Sequence, residues 1–226
     1  VNRNSRPERA AAPGSAEIQR ASAELGLALT DAQAEKLAAY AALLAKWNAV
    51  YNLTAVDAAA DVLSHHLLDS LAIVPALLRR TGARDVRVLD VGSGGGLPGI
   101  PLAIALAGAR VTLLDSVRKK TAFLQQAQIA LELPNVEIAH ARVESWRAHP
   151  FDVIVSRAFA ALADMVRLTQ HLLAPDGIWA AMKGALPAQE IAALPASVET
   201  IDAVKLRVPL LAAERHLVLL RPRRLP

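Results

Sequence analysis

Hydrophobic positions change period along this chain, and the change divides it. Between residues 16 and 82 they recur at helical spacing. Ala16–Leu25 reads as a short helix that Gly26 ends. Thr30-Asp-Ala-Gln33 has the form of a capping start, followed by Leu37, Tyr40, Ala41, Leu44 and Trp47 on one stripe. The pattern breaks over Val50–Thr54, resumes at Asp57 or Asp61, and is interrupted again at Pro75. After Gly82 short β-branched runs alternate with longer amphipathic stretches. They predict strands at 86–91, 110–115, 135–139, 151–156 and 177–183, with helices at 98–107, 117–131 and 162–173. Such alternation makes a mostly parallel sheet with right-handed crossovers. Val204–Val208 and His216–Leu220 read as two further strands, joined closely enough for an antiparallel pair. The expected organisation is a polar tail (1–15), a helical N-terminal subdomain (16–82) and an α/β domain (83–226).

The α/β part is centred on Arg87-Val-Leu-Asp-Val-Gly-Ser-Gly-Gly-Gly-Leu-Pro-Gly99. An apolar strand runs into a glycine turn, and Pro98 and Pro101 suit a first helical turn. Glycines there permit positive φ and let a ligand approach bare backbone. The next strand, Arg110-Val-Thr-Leu-Leu-Asp115, ends in a carboxylate about 20 residues after Gly94, the spacing at which an acid reaches ribose hydroxyls. Gly94-x-Gly96-x-x-Gly99 formally matches the dinucleotide fingerprint. Asp90 argues against that reading, because a carboxylate before the loop repels a pyrophosphate and welcomes an ammonium group. S-adenosylmethionine carries an ammonium, a sulfonium and a ribose, and no phosphate, so Asp90, Gly92, Gly94 and Asp115 suit it better.

Composition narrows the chemistry. The 226 residues contain no cysteine, which removes disulfides, thiolate metal sites and the nucleophile that pyrimidine C5 methylation uses. A net charge of +4 permits a polyanionic partner without requiring one. No uninterrupted apolar run reaches the roughly 18 residues of a membrane span, and the arginines near the start are followed by no apolar segment of a secretory signal. His65 and His66 are adjacent rather than one helical turn apart, so no metal site is expected.

Several polar residues fall where strands end. Ser156, Arg157 and Phe159 follow the fourth strand, where the crevice of a doubly wound sheet opens. Arg157 needs an anion, and Glu144, a cofactor carboxylate and an RNA phosphate are the candidates. Lys183 ends the fifth strand. Arg118, Lys119 and Lys120 open a helix, where cations oppose the dipole, so they are either phosphate ligands or a solvated face. His65, Asp69 and Lys183 equally admit a reading as ordinary surface residues.

Taken together, Lys46–Thr54, His66–Ser70, Asp90–Pro101, Leu113–Ser116, Arg142–Glu144, Ser156–Phe159, Lys183-Gly184 and Glu214–Leu217 resemble, in order, the bacterial small-subunit ribosomal RNA guanine-N7 methyltransferases, the glucose-inhibited division protein B family. The resemblance runs from about residue 16 to 220. It implies a Rossmann-like class I methyltransferase sheet of seven strands, mostly parallel with the last antiparallel, beside N-terminal helices. It implies S-adenosylmethionine contacts at Gly92, Leu97, Val143, Glu144 and Arg157, with Asp115 on the ribose. The implied substrate is one guanine of 16S rRNA, free or in a small-subunit particle, and the implied protein is a cytoplasmic monomer. Arg157 would position and no general base is needed; Arg118, Lys119, Lys120, Phe159 and Lys183 would meet RNA. Two other classes stay open: a dehydrogenase using NAD, and an RNA-binding protein without turnover.

Overall fold

β1 (Arg87–Val91) is the hydrophobic spine, buried from Val88 to Val91. The computed structural model describes residues 12–51, 53, 61–82 and 85–223. Most of the expected tail, the alternative helix start Asp57, and Asn52 and Thr54 of the Lys46–Thr54 stretch lie outside the described residues. β2 (Arg110–Asp115), β3 (Val136–His140), β4 (Phe151–Arg157), β5 (Leu173–Lys183), β6 (Val198–Leu206) and β7 (Arg215–Pro222) complete a seven-stranded sheet in the order β3-β2-β1-β4-β5-β7-β6. β1 to β5 pair in parallel, and β7 runs antiparallel to both neighbours. The chain reverses direction across the sheet at β1, between β2 and β4, which is where such sheets open a crevice.

Side-chain alternation assigns the two faces. Val88, Val111, Leu113, Val155 and Met182 enter one core, shared with the N-terminal helices. Leu89, Leu114, Ile154, Trp179 and Leu220 enter the other, under α7 (Leu162–Thr169). Asp90 has the parity of Val88, so its carboxylate is directed into the first core.

The N-terminal helices are α1 (Ser15–Ala23), α2 (Asp31–Tyr51), α3 (Val62–Leu68, continued by the turn Asp69–Leu71) and α4 (Val74–Thr81). Between the strands lie α5 (Gly99–Ala105), α6 (Arg118–Ala130) and, before β6, the short α8 (Ala188–Ala192). The expected stripe of α2 is buried at Leu37, Tyr40, Ala41 and Leu44. The capping box forms reciprocally: Gln33 N–H donates to Thr30 Oγ1 at 3.2 Å and Thr30 N–H to Gln33 Oε1 at 3.0 Å. Gln33 also reaches across the interface, donating from Nε2 to the carbonyls of Ile104 (2.9 Å) and Ala105 (3.3 Å) at the C-terminal end of α5.

Three features depart from the pattern read in the sequence. β6 begins at Val198 rather than 204, because an edge strand that is half exposed along most of its length has no apolar alternation to display. β5 begins at Leu173, four residues before the predicted start, although its first half is partly exposed. α3 is wound as a π-helix, a geometry that hydrophobic spacing does not encode and that collects at functional sites. The run Val62–Thr81 is long and apolar enough to cross a membrane, yet 78% of its apolar window is buried inside the fold, so here it is a core element.

Gln33 joins the two parts of the chain through one side chain. Replacing it with alanine removes both the cap and the contacts to α5. Q33A is expected to cost about 1–2 kcal/mol, lowering Tm by roughly 2–8 °C for a chain of this size. T30A removes the cap alone and is expected to cost about half as much. Equal melting temperatures for the two variants in a thermal scan would show that the contacts to α5 contribute nothing.

Candidate functional site

The glycine loop after β1 is held from three directions. Gly92, Gly94 and Gly96 have φ of +70°, +56° and +84°, the left-handed region that favours glycine. From below, Asp90 Oδ2 accepts the Gly99 N–H at 3.0 Å, and a Cβ on Gly99 would stand 2.7 Å from that oxygen. From the β2 side, Asp115 accepts the Gly94 N–H on Oδ2 (3.0 Å) and the Val117 N–H on Oδ1 (2.8 Å). From α2, the buried Tyr40 hydroxyl donates to the Gly95 carbonyl at 2.5 Å. Burial raises the Tyr40 pKa, so it stays a donor.

Two cavities meet over this loop. The larger, about 540 Å³, lies between the loop, α3 and the ends of β4, β5 and β7; Gly92, Gly94, Leu97, Arg157, Phe159 and Lys183 line it. The smaller, about 290 Å³, is lined by Asp115, Val143 and Glu144. Gly92, Lys120, Ala158 and Phe159 belong to both. A Cβ on Gly92 would come within 2.8 Å of the Phe159 ring, so bare backbone is required at this junction. Lys120 Nζ lies 3.7 Å from Asp115.

The structure therefore brings together most of the residues singled out in the sequence, and separates three. Asp90 lines neither cavity. It is fully buried and holds the N-terminal end of α5, where a pyrophosphate would have to bind. Arg118 is exposed, and Lys119 donates to the Tyr51 carbonyl at 3.2 Å; neither lines a cavity.

Arg157 has an anion, and it is none of the three foreseen. Its Nη1 donates to Asp69 Oδ2 at 3.2 Å and to the His65 carbonyl at 2.8 Å. Arg215 Nε donates to the other oxygen of Asp69 at 3.1 Å. Asp69 is buried between two arginines, both on the larger cavity, and is no surface residue. Asp69 was within the reach of sequence reasoning as a charge inside an apolar stretch, whereas Arg215 stands between Glu214 and His216, and nothing in the spacing pairs residues 146 positions apart. Lys183 is tied to Glu190 at 2.8 Å and to the Ala160 carbonyl at 3.1 Å, while Glu190 also accepts the first N–H of α7 from Leu162. Ser156 donates to Met165 Sδ at 3.1 Å.

Among the described residues three buried side chains carry polar atoms without a partner: Ser22 in the N-terminal helices, and Asp90 and His66 near the loop. Asp90 Oδ1 and both ring nitrogens of His66 make no hydrogen bond among the described residues. Burial raises the Asp90 pKa to about 7, against the Gly99 hydrogen bond and the Arg157 charge. Burial, with Arg157 nearby, lowers that of His66 to about 4. Among the described residues no three metal-ligating side chains come together.

These features fit S-adenosylmethionine: a cradle of bare glycine backbone beside a carboxylate at the end of β2. The family profile described as rRNA small subunit methyltransferase G (GidB) matches residues 33–218. Ribosomal RNA small subunit methyltransferase G of Ralstonia nicotianae is 55% identical over 212 residues, covering 91% of this chain and 94% of that one. The Leptothrix cholodnii protein of the same name is 50% identical over 199 residues, covering 88% and 91%. Among solved structures, TrmN from Thermus thermophilus shares the fold, with a TM-score of 0.54, 23% identity, and coverage of 71% of this chain and 53% of that one.

Asp90 and His66 pull stability in opposite directions with pH. A carboxyl whose folded pKa is raised contributes stability that is full below about 3.8 and lost as pH rises through about 7. A histidine whose folded pKa is lowered contributes stability that is full above about 6.5 and lost as pH falls through about 4. The two slopes offset each other between these limits. D90N is expected to unmask the histidine, so that its Tm minus that of the parent rises from pH 4 to pH 7. A difference that stays level across a pH series of melts would refute the assignment.

Proposed function

The chain belongs to the small-subunit rRNA methyltransferase G family, and from that premise and the two joined cavities we propose that it transfers a methyl group from S-adenosylmethionine to N7 of one guanine in 16S rRNA. The observation that carries this reading is the junction at Gly92 and Phe159, where a cavity suited to a nucleoside opens into one lined by arginines. We infer further that it works as a cytoplasmic monomer on rRNA or a small-subunit particle. In this reading the helical part (16–82) serves the cofactor-binding part (83–226).

S-adenosylmethionine, when bound, supplies an electrophilic methyl group on a sulfonium. Asp115, fixed by the Gly94 and Val117 N–H groups, keeps lone pairs for ribose hydroxyls. Val143 and Glu144 close the smaller cavity beside it. Gly92, Gly94 and Leu97 offer backbone and apolar surface on the larger side, and Asp90 sets the loop from below. Phe159 stands at the junction, where it can hold a base plane and exclude water. Arg157 and Arg215, which share the single Asp69 carboxylate, give the larger cavity positive charge for the RNA backbone. Lys183 and Lys120 line it beside the carboxylates of Glu190 and Asp115, and Arg118 and Lys119 lie outside it.

Guanine N7 has an exposed lone pair and no proton, so the protein has no proton to remove. What it supplies is alignment and desolvation, and well-oriented reactants can gain several orders of magnitude from that alone. A dinucleotide reading finds the position for its pyrophosphate taken by Asp90.

Mass spectrometry of rRNA from cells lacking this chain tests the reaction. One 7-methylguanosine of 16S rRNA is expected to disappear and to return on complementation; unchanged modification would sink the proposal. Arg157 is tested separately. Nη1 alone makes both of its described contacts, so a lysine can keep Asp69 paired but cannot offer a planar fork to a ligand. R157K is expected to melt within about 2 °C of the parent yet to lose most of its methyl transfer. Near-normal turnover in R157K, with R157A merely less stable, would reduce Arg157 to a structural ion pair.

A further inference from the structure

We propose that His66 positions the substrate base, by a hydrogen bond from its buried imidazole into the larger cavity. This rests on the methyltransferase reading above and names a residue of that same site. His66 lies on the π-helical turn of α3 and lines the larger cavity, yet it is only 3% exposed and neither ring nitrogen has a partner. Its backbone is engaged, since Ser70 Oγ donates to the His66 carbonyl at 2.6 Å. The main chain of His66 is therefore fastened while both ring nitrogens are left unused.

Leaving a donor and an acceptor buried and unpaired is costly, and such groups in folded proteins are uncommon. The neighbouring polar groups are already committed. Asp69 is taken up by Arg157 and Arg215, and Ser64 Oγ pairs with His65 Nδ1 at 3.0 Å. The ring is neutral in ordinary solution, so it offers one N–H and one lone pair and no charge. That is the complement of a nucleobase edge, which also presents donors and acceptors, and a poor complement of a phosphate. His66 is absent from the smaller cavity around Asp115 and shares the larger one with Arg215 and the ends of β4, β5 and β7. This is the end of the crevice away from the ribose carboxylate.

The test compares H66L and H66N with the parent protein in three assays: methyl transfer to 16S rRNA, binding of S-adenosylhomocysteine by calorimetry, and thermal melting. H66L is expected to bind S-adenosylhomocysteine within about threefold of the parent and to melt no lower. Its kcat is expected to fall about tenfold or more, with a smaller change in KM, because a misaligned base reacts poorly. H66N, which restores a donor and an acceptor, is expected to recover part of that loss. Full turnover in H66L would overturn the proposal. So would a tenfold loss of S-adenosylhomocysteine affinity, which would make His66 a cofactor contact. Equal inactivity in both variants with lowered Tm would make it structural. Absence of turnover in the parent would instead sink the methyltransferase reading itself.

Discussion

The glycine loop has no side chains with which to hold itself, and everything at this site depends on how it is held. Its conformation uses positive φ at three positions and brings backbone within contact of Phe159. Such a segment loses more conformational entropy on ordering than any other. Three side chains from three elements offset that cost: Asp90 at the end of β1, Asp115 at the end of β2, and Tyr40 from α2. Each satisfies a backbone group that a ligand would otherwise need to leave in water. The N-terminal helices are thus part of the site, because one of the three ties comes from α2.

Charge in the larger cavity is organised around a single buried anion. Asp69 accepts from Arg157 on one oxygen and Arg215 on the other, which draws together the ends of β4 and β7 and the turn after α3. A buried carboxylate with one partner gains little over its desolvation; with two arginines its lone pairs are better used. Two cations against one anion leave a positive remainder in the cavity wall. Lys183 adds none of its own, because Glu190 neutralises it while fastening the start of α7. The positive remainder is therefore local, at the two arginines.

Much of this was legible in the sequence, because the parts that form the glycine loop and the strand ends beside it are local. The strand, the glycine turn, the helix and the carboxylate ending the next strand are encoded by short-range spacing, and Asp115, Val143, Glu144 and Arg157 fall on the cavities. The capping box at Thr30 and Gln33 was equally plain, though its second use on α5 was not. Pairings between distant segments could not be read: Asp69 with Arg157 and Arg215, or Tyr40 with Gly95. Asp90 shows how an argument from charge can reach a sensible ligand by way of the wrong contact. Its carboxylate does disfavour a pyrophosphate, but by taking the Gly99 N–H at the start of α5 from within, since its strand parity places it under the loop and not over it.

The same accounting explains why His66 stands apart. Around the larger cavity the charged groups have protein partners, and their hydrogen bonds set the shape of the wall. A wall built only from satisfied groups would bind any anion that fits its charge and would leave a base free to turn. Discrimination needs a polar group that remains unsatisfied until the right edge arrives, because then every wrong edge leaves it buried and unpaired. A neutral imidazole suits that role better than a charge, since a charge in the same place would bind a phosphate without regard to the base. The cost of keeping such a group unpaired falls on the free protein, and the π-helical turn that carries it is where the fold departs from the regular helix its sequence would otherwise prefer.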